Sequence, residues 1–325
     1  MSAPRLLVAP DSFKGTLSAP EVAAALVRGA ASAGATTQAL PIADGGEGTL
    51  DALAAALDAS LRSADVEDPL GRPITARWAL AGATAIVEMA EASGLGRVAE
   101  GERDAWAAST RGTGQLLLAA ARSGAQEILV GVGGSATTDG GLGAVRAVEE
   151  GGGLGEARVV VLCDVSTPFE RAAEVFAPQK GAGPDQVEAL TQRLHEIAAG
   201  YFRDPRGNPM TGAAGGLSGG LWAALGARLE PGARFVLDRV GFDAALAGAA
   251  AVLTGEGRLD AQTLQGKAAG EVAVRGRRAG VPVHAVVGAN ALEEAEAERL
   301  GLASVRVAGT VDELEAAGAE LAASL

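Results

Sequence analysis

At 325 residues, with 48% apolar residues, the chain is long enough for one large domain or two ordinary ones around a real core. Forty acidic against 27 basic side chains give a formal charge of −13, and a pI near 4.7 excludes the basic face that a nucleic-acid or anionic-membrane partner needs. The longest apolar stretch, Ala244 to Leu253, is too short to span a bilayer, and the first residues show no basic segment followed by an apolar run. A lone Cys163 forbids an internal disulfide, so the expected setting is the reducing cytoplasm.

Along the chain the pattern repeats strand, glycine-rich turn, helix. Arg5–Pro10 reads as a buried strand, and Ser18 with Glu21 forms a capping box for a helix running to about Gly34. Gln38–Ala43 reads as a second strand, ending in the loop Asp44–Thr49 and an alanine-rich helix. From Glu67 to about Glu91 the texture changes to extended runs around the turn Pro69–Pro73, which predicts antiparallel strands. The α/β pattern then resumes with a helix around Thr113–Ser123, the strand Glu127–Val132, the turn Gly133–Gly141 and the strand Arg158–Asp164. Asp185–Phe202 reads as a helix, and the glycine-rich run Gly212–Gly220 opens another. Ala250–Thr254 is a strand running into a loop that starts at Gly255; Val281–Val287 and Ala303–Ala308 are further strands, and Thr310 with Glu313 caps the last helix. Strands alternating with helices predict a mostly parallel sheet covered on both faces, with ligands at the carboxyl ends of the strands.

Of the 27 basic residues only three are lysines, and each adjoins a glycine: Lys14–Gly15, Lys180–Gly181 and Gly266–Lys267. A lysine is a compact, mobile point charge suited to phosphate, which marks these three as candidates against the plainer reading of leftover surface residues. Gly131–Ala136 matches a dinucleotide fingerprint, but Glu149 and Glu150, near the spacing of a ribose-binding acid, end a helix where a second strand should end. The turn reads better as backbone N–H groups facing an anion. Gln265–Ala268 resembles the end of a P-loop and fails twice, with Ala261 in place of the first glycine and Ala268 in place of the hydroxyl residue. No cysteine or histidine cluster exists for zinc, and His195 and His284 read as structural. What remains is a set of carboxylates on loops after strands: Asp11, Asp44, Glu47, Asp139, Asp164, Glu256 and Asp260. Any one of these could be a helix cap. Together with the lysines they suit Mg²⁺ and a polyphosphate.

Ala9–Ser18 (APDSFKGTLS) followed by Pro41–Thr49 (PIADGGEGT) resembles the opening of bacterial type I glycerate kinases. So do Gly112–Gly114, Gly131–Gly141, Cys163–Val165, Phe176–Ala182, Ala213–Leu217 and Thr254–Lys267, in family order. The resemblance implies two α/β domains, one Rossmann-like with a mostly parallel sheet (1–66 plus 249–325) and the other inserted with mixed strands (67–248), and an active site in the cleft between them. It implies ATP-dependent phosphorylation of D-glycerate with Mg²⁺, typically to 2-phosphoglycerate, by a monomer or homodimer. Asp11, Ser12, Lys14 and Glu47 would hold glycerate. Gly133, Gly134, Ser135, Thr137, Asp139 and Gly140, with Gly255 and Gly257, would cradle phosphate. Asp164, Glu256 and Asp260 would hold metal, Lys180 and Lys267 would neutralise the transferred group, and Asp44 and Asp164 lead as general base. The chain departs from the family pattern in bridging the helix after Gly141 to the strand before Asp164 with only Gly151–Glu156, and in placing Thr138 where asparagine is usual. The alternatives are a noncatalytic sensor of sugar acid or nucleotide on the same fold, and an NAD-dependent oxidoreductase using Gly131–Ala136.

Overall fold

The computed structural model describes residues 4–261, 263 and 266–325. Its strands are β1 (Arg5–Pro10), β2 (Thr36–Ala39), β3 (Ser60–Glu67), β4 (Pro73–Ala81), β5 (Thr84–Glu88), β6 (Glu127–Gly131), β7 (Arg158–Cys163), β8 (Arg228–Pro231), β9 (Ala251–Leu259), β10 (Val283–Asn290) and β11 (Leu302–Val307). They form two sheets, ordered β11-β10-β9-β1-β2 and β3-β4-β5-β6-β7-β8. Two compact units result: Met1–Asp44 with Asp51–Ala56 and Ala233–Leu325, and Gly45–Leu50 with Leu57–Gly232.

In the first unit all strand pairs are parallel. β1 is central and buried through Leu6, Leu7, Val8 and Ala9, so its alternate residues feed two layers. Leu6 and Val8 pack with Leu26 of the helix Ala19–Ser32 and Leu314 of the helix Val311–Ala323. Leu7 and Ala9 pack with Val272 of the helix Ala268–Ala279 and with Phe242. Both outer helices carry the predicted capping boxes. They approach so closely that a Cβ on Gly29 would lie 1.9 Å from the Glu315 carbonyl oxygen.

In the second unit β3, β4 and β5 are antiparallel and β5 through β8 parallel. Val87, Val130 and Val161 line its core with Leu116 and Leu117 of the helix Arg111–Arg122. Gly112 allows that helix to reach the sheet, since a Cβ there would lie 1.9 Å from the Glu67 carbonyl oxygen. Gly114 does the same toward Ala144 of the helix Leu142–Glu150. Three residues with positive φ, Gly152, Gly153 and Gly155, turn the chain back from that helix into β7. The short bridge therefore still delivers β7 parallel beside β6.

Several bounds differ from the sequence expectation. β3 pairs with β4 along its whole length, so residues from Leu57 belong to the second unit rather than residues from 67. The return comes at Ala233, not 249, because Ala233, Leu237 and Phe242 are buried in the first unit's core. β2 starts at Thr36 in place of Gln38, and Leu40 and Ile42 continue its bonding to β1 as isolated backbone hydrogen bonds.

Candidate active site

At the carboxyl end of β1 the chain turns through Asp11–Thr16, and the end of β9 lies beside it. The resulting cavity, of about 410 Å³, is lined by Asp11, Ser12, Lys14, Asp44, Glu256 and Lys267 among others. Asp11 is buried and accepts from the Ser12 backbone N–H at 2.6 Å. Burial, reinforced by the Asp44 carboxylate, pushes its carboxyl well above the usual range. Lys14 Nζ lies 3.5 Å from Asp44 Oδ2, and that carboxylate holds the ammonium in its charged form.

A second lysine lines the same cavity. Lys267 begins the helix Ala268–Ala279, with Nζ 3.9 Å from Glu256 Oε2 and 3.8 Å from Asp260 Oδ1. Glu256 is buried, which pushes its carboxyl up to about 7. The Thr263 hydroxyl, donating at 2.7 Å, and the Lys267 charge oppose that rise. Thr263 also accepts from the Asp260 backbone N–H at 3.2 Å, fixing both acids. Gln265, part of the quoted P-loop-like stretch, lies outside the described residues.

Gly255 and Gly257 lie within a strand rather than a loop, and Gly257 lines the cavity. β9 runs through them to Leu259, with Gly255 in register with Pro10 and Val286. Glycine is required there for close packing: a Cβ on Gly255 would lie 2.3 Å from the Val286 carbonyl oxygen, and one on Gly257 3.3 Å from Lys14 N.

In the second unit Lys180 ends the short turn Pro178–Lys180 and is buried. Its ammonium donates to Ser135 Oγ at 2.8 Å and to the Thr137 carbonyl oxygen. Burial lowers its pKa to about 7, against the pull of Asp139. The hydroxyls of Thr137 and Thr138, also buried, have no hydrogen-bond partner among the described residues. Such groups are costly to leave unmade and mark a place where a polar ligand fits.

Several of the turn's own N–H groups are used inside the protein: Gly133 N donates to Gly45 O, Ala136 N to Ser93 O, and Gly140 N to Gly215 O. Gly134, with φ +71°, turns the chain after β6. Gly215 packs under the turn, since a Cβ there would lie 2.0 Å from the Thr137 carbonyl oxygen. Asp139 is fully engaged as a tie, accepting from Thr110 N and Oγ1 at 2.8 Å and from the Gly141 and Gly143 backbone N–H groups. Asp164 follows β7 and is half-buried. Cys163 before it is packing, its buried thiol pushed up to about 12.

Glu47 sits in the loop Gly45–Leu50, whose backbone is held by Glu88, the last residue of β5. Glu88 carries no motif that sequence reading could notice, and neither does Thr263. Of the expected metal set, Asp164 belongs to the second unit and Glu256 and Asp260 to the first; among the described residues no group of three or more His, Cys, Asp or Glu side chains is arranged to hold a metal ion. Glu256 and Asp260 instead flank the Lys267 ammonium.

A family model described as Glycerate kinase family matches residues 6–151 and 152–325. The chain belongs to the glycerate kinase family. Its members are ATP-dependent kinases that phosphorylate an alcohol. The chain is 38% identical to the glycerate kinase of Bacillus subtilis over 326 residues, covering 87% of this chain and 85% of that one. It is 35% identical to the glycerate 2-kinase of Escherichia coli over 323 residues, with the same coverage. A crystal structure described as that of a glycerate kinase 2 from Salmonella typhimurium LT2 superposes with a TM-score of 0.81 at 34% identity, covering 99% of this chain and 98% of that one. The family match breaks between residues 151 and 152, in the shortened bridge before β7. No helix among the described residues is long and apolar enough to cross a membrane.

Proposed function

We propose that this family member transfers the γ-phosphoryl group of ATP to a hydroxyl of D-glycerate, giving 2-phosphoglycerate, as a cytoplasmic monomer or homodimer. The observation that carries the reading is the first unit's cavity, where Lys14 and Lys267 lie among the carboxylates of Asp11, Asp44 and Glu256, with Asp260 beside Lys267. Lys14 and Ser12 are placed to take the glycerate carboxylate and a hydroxyl. In the transfer, the bond from the γ-phosphorus to the bridging oxygen breaks and a bond to the glycerate oxygen forms. The hydroxyl proton passes to a carboxylate, for which Asp44, beside Lys14, is the leading candidate and Asp164 the next.

The carboxylates of Glu256 and Asp260 are hard oxygen donors of the kind Mg²⁺ takes, and Mg²⁺ binds through one or two carboxylates plus substrate phosphates rather than a full protein cage. Bound Mg²⁺ would neutralise charge on the phosphate oxygens. Lys267 supplies a cation on the protein's side, and Lys180 with Ser135, Thr137 and Thr138 supplies donors for phosphate oxygens.

The test is ADP release with MgATP and D-glycerate, with L-glycerate and metal-free controls, and NMR assignment of the product. We expect turnover of about one per second or faster, ordinary for a kinase, with 2-phosphoglycerate as product. Nucleotide binding by folded protein with no turnover of D-glycerate would overturn the reading. Size-exclusion chromatography with light scattering reports the assembly.

A further inference from the structure

The loop Gly45–Leu50 joins Asp44, the proposed base, to the helix Thr49–Ala56 and carries Glu47. It leans on the strand ends of its own unit. A Cβ on Gly45 would lie 2.6 Å from the Leu162 carbonyl oxygen, at β7, and Gly133 N donates to Gly45 O at 3.3 Å, beyond β6. Thr49 Oγ1 closes the turn on Gly46 O at 2.7 Å. A further tie is a buried side chain. Glu88, 5% exposed, accepts from Gly48 N at 3.2 and 3.1 Å through its two oxygens, and from Leu50 N at 3.0 Å. Gly48 itself has φ +99°, a conformation that brings its N–H toward the carboxylate at little steric cost only for glycine.

We propose that Glu88 is a positioning residue for the glycerate side of the reaction: its carboxylate clamps the Gly45–Leu50 loop and so fixes Glu47 and the chain leaving Asp44. This rests on the reading that those residues serve glycerate. A carboxylate can accept from both N–H groups, whereas a protonated carboxyl turns an O–H donor toward N–H donors, and the clamp loosens. Burial pushes the Glu88 carboxyl up to about 7; the Leu50 and Gly48 N–H groups pull it down, and the Glu91 and Glu47 charges raise it. Glu91 is in turn held by Arg77 at 2.6 Å and Arg97 at 2.8 Å. The clamp is therefore made above neutral pH and released below it.

The experiment is amide hydrogen exchange of the full-length protein at pH 8 and pH 5.5, with intrinsic exchange rates divided out, alongside steady-state kinetics. In the wild type, protection of the segment containing Gly48 and Leu50 should fall about tenfold or more at the lower pH, while β6 stays protected as control. Glu88→Gln should show low protection at both pH values, with KM for glycerate raised about tenfold and KM for ATP within about twofold. Glu88→Asp, which keeps the charge, should retain the pH dependence. Wild-type protection at pH 8 in Glu88→Gln overturns the clamp, and protection that ignores pH in the wild type overturns its release below neutral pH. Lost protection in Glu88→Gln with an unchanged glycerate KM overturns the positioning role. A loop that is clamped as described, in a protein that does not turn over glycerate, leaves the clamp standing and overturns the proposed reaction, so the two failures are told apart.

Discussion

Lys180 shows how a single residue can be both costly and useful. In the unfolded chain its ammonium titrates near 10.5, and burial brings it to about 7 in the folded protein. Between these values the folded state binds fewer protons than the unfolded one, so stability rises with pH through that window, and the penalty is fully present below 7. Lys180→Met should accordingly be stabilised relative to wild type most at pH 7 and below, with the difference shrinking toward pH 10 in urea melts. The same variant should lose about a hundredfold or more in kcat, the scale of removing one donor to developing charge. A folded Lys180→Met with normal kcat would remove Lys180 from the chemistry. Lys14, half exposed beside Asp44, should act on binding: we expect Lys14→Gln to raise KM for glycerate roughly tenfold with little change for ATP, by initial-rate kinetics, with Arg299→Ala as a silent control. All three lysines were legible because lysine is rare in this chain and each sits beside glycine. Glu88 was not, because it acts on backbone groups that only folding brings near: it binds a loop some forty positions earlier.

At the scale of elements, alternation and caps read well and glycines read ambiguously. β1, the capping boxes at Ser18 and Thr310 and the strand before Gly133 all lie where local patterning put them. Gly255 and Gly257 read as a loop but are β9, since a glycine-rich run can equally be a strand that other backbone must approach. Gly29 is a similar case on a helix, where nothing in the sequence distinguishes a crossing point from a surface glycine. Gly29→Ala would drive a Cβ to 1.9 Å from the Glu315 carbonyl oxygen and should destabilise by about 1–3 kcal/mol in thermal or urea unfolding, with both KM values unchanged. An unaffected melting temperature would mean that the helices separate without cost.

For the whole molecule, the two units have their own sheets and cores, one around Leu7, Val252 and Phe242 and the other around Val87, Val130 and Leu116. Calorimetry should therefore show unfolding that is not two-state, with a calorimetric enthalpy above the van't Hoff value; equality of the two would show a single cooperative unit. The sequence by itself determined the α/β class, the order of the motif blocks, the three lysines and most of the acids, because strand alternation, helix caps and residue scarcity are local properties of the chain. Only the tertiary structure decided where the units divide, since that depends on which strand β3 pairs with and which core Phe242 enters. It also decided that Asp139 is a tie and that Glu256 and Asp260 flank a lysine. Those outcomes are set by hydrogen-bond partners and burial in the folded chain, and no local pattern encodes them.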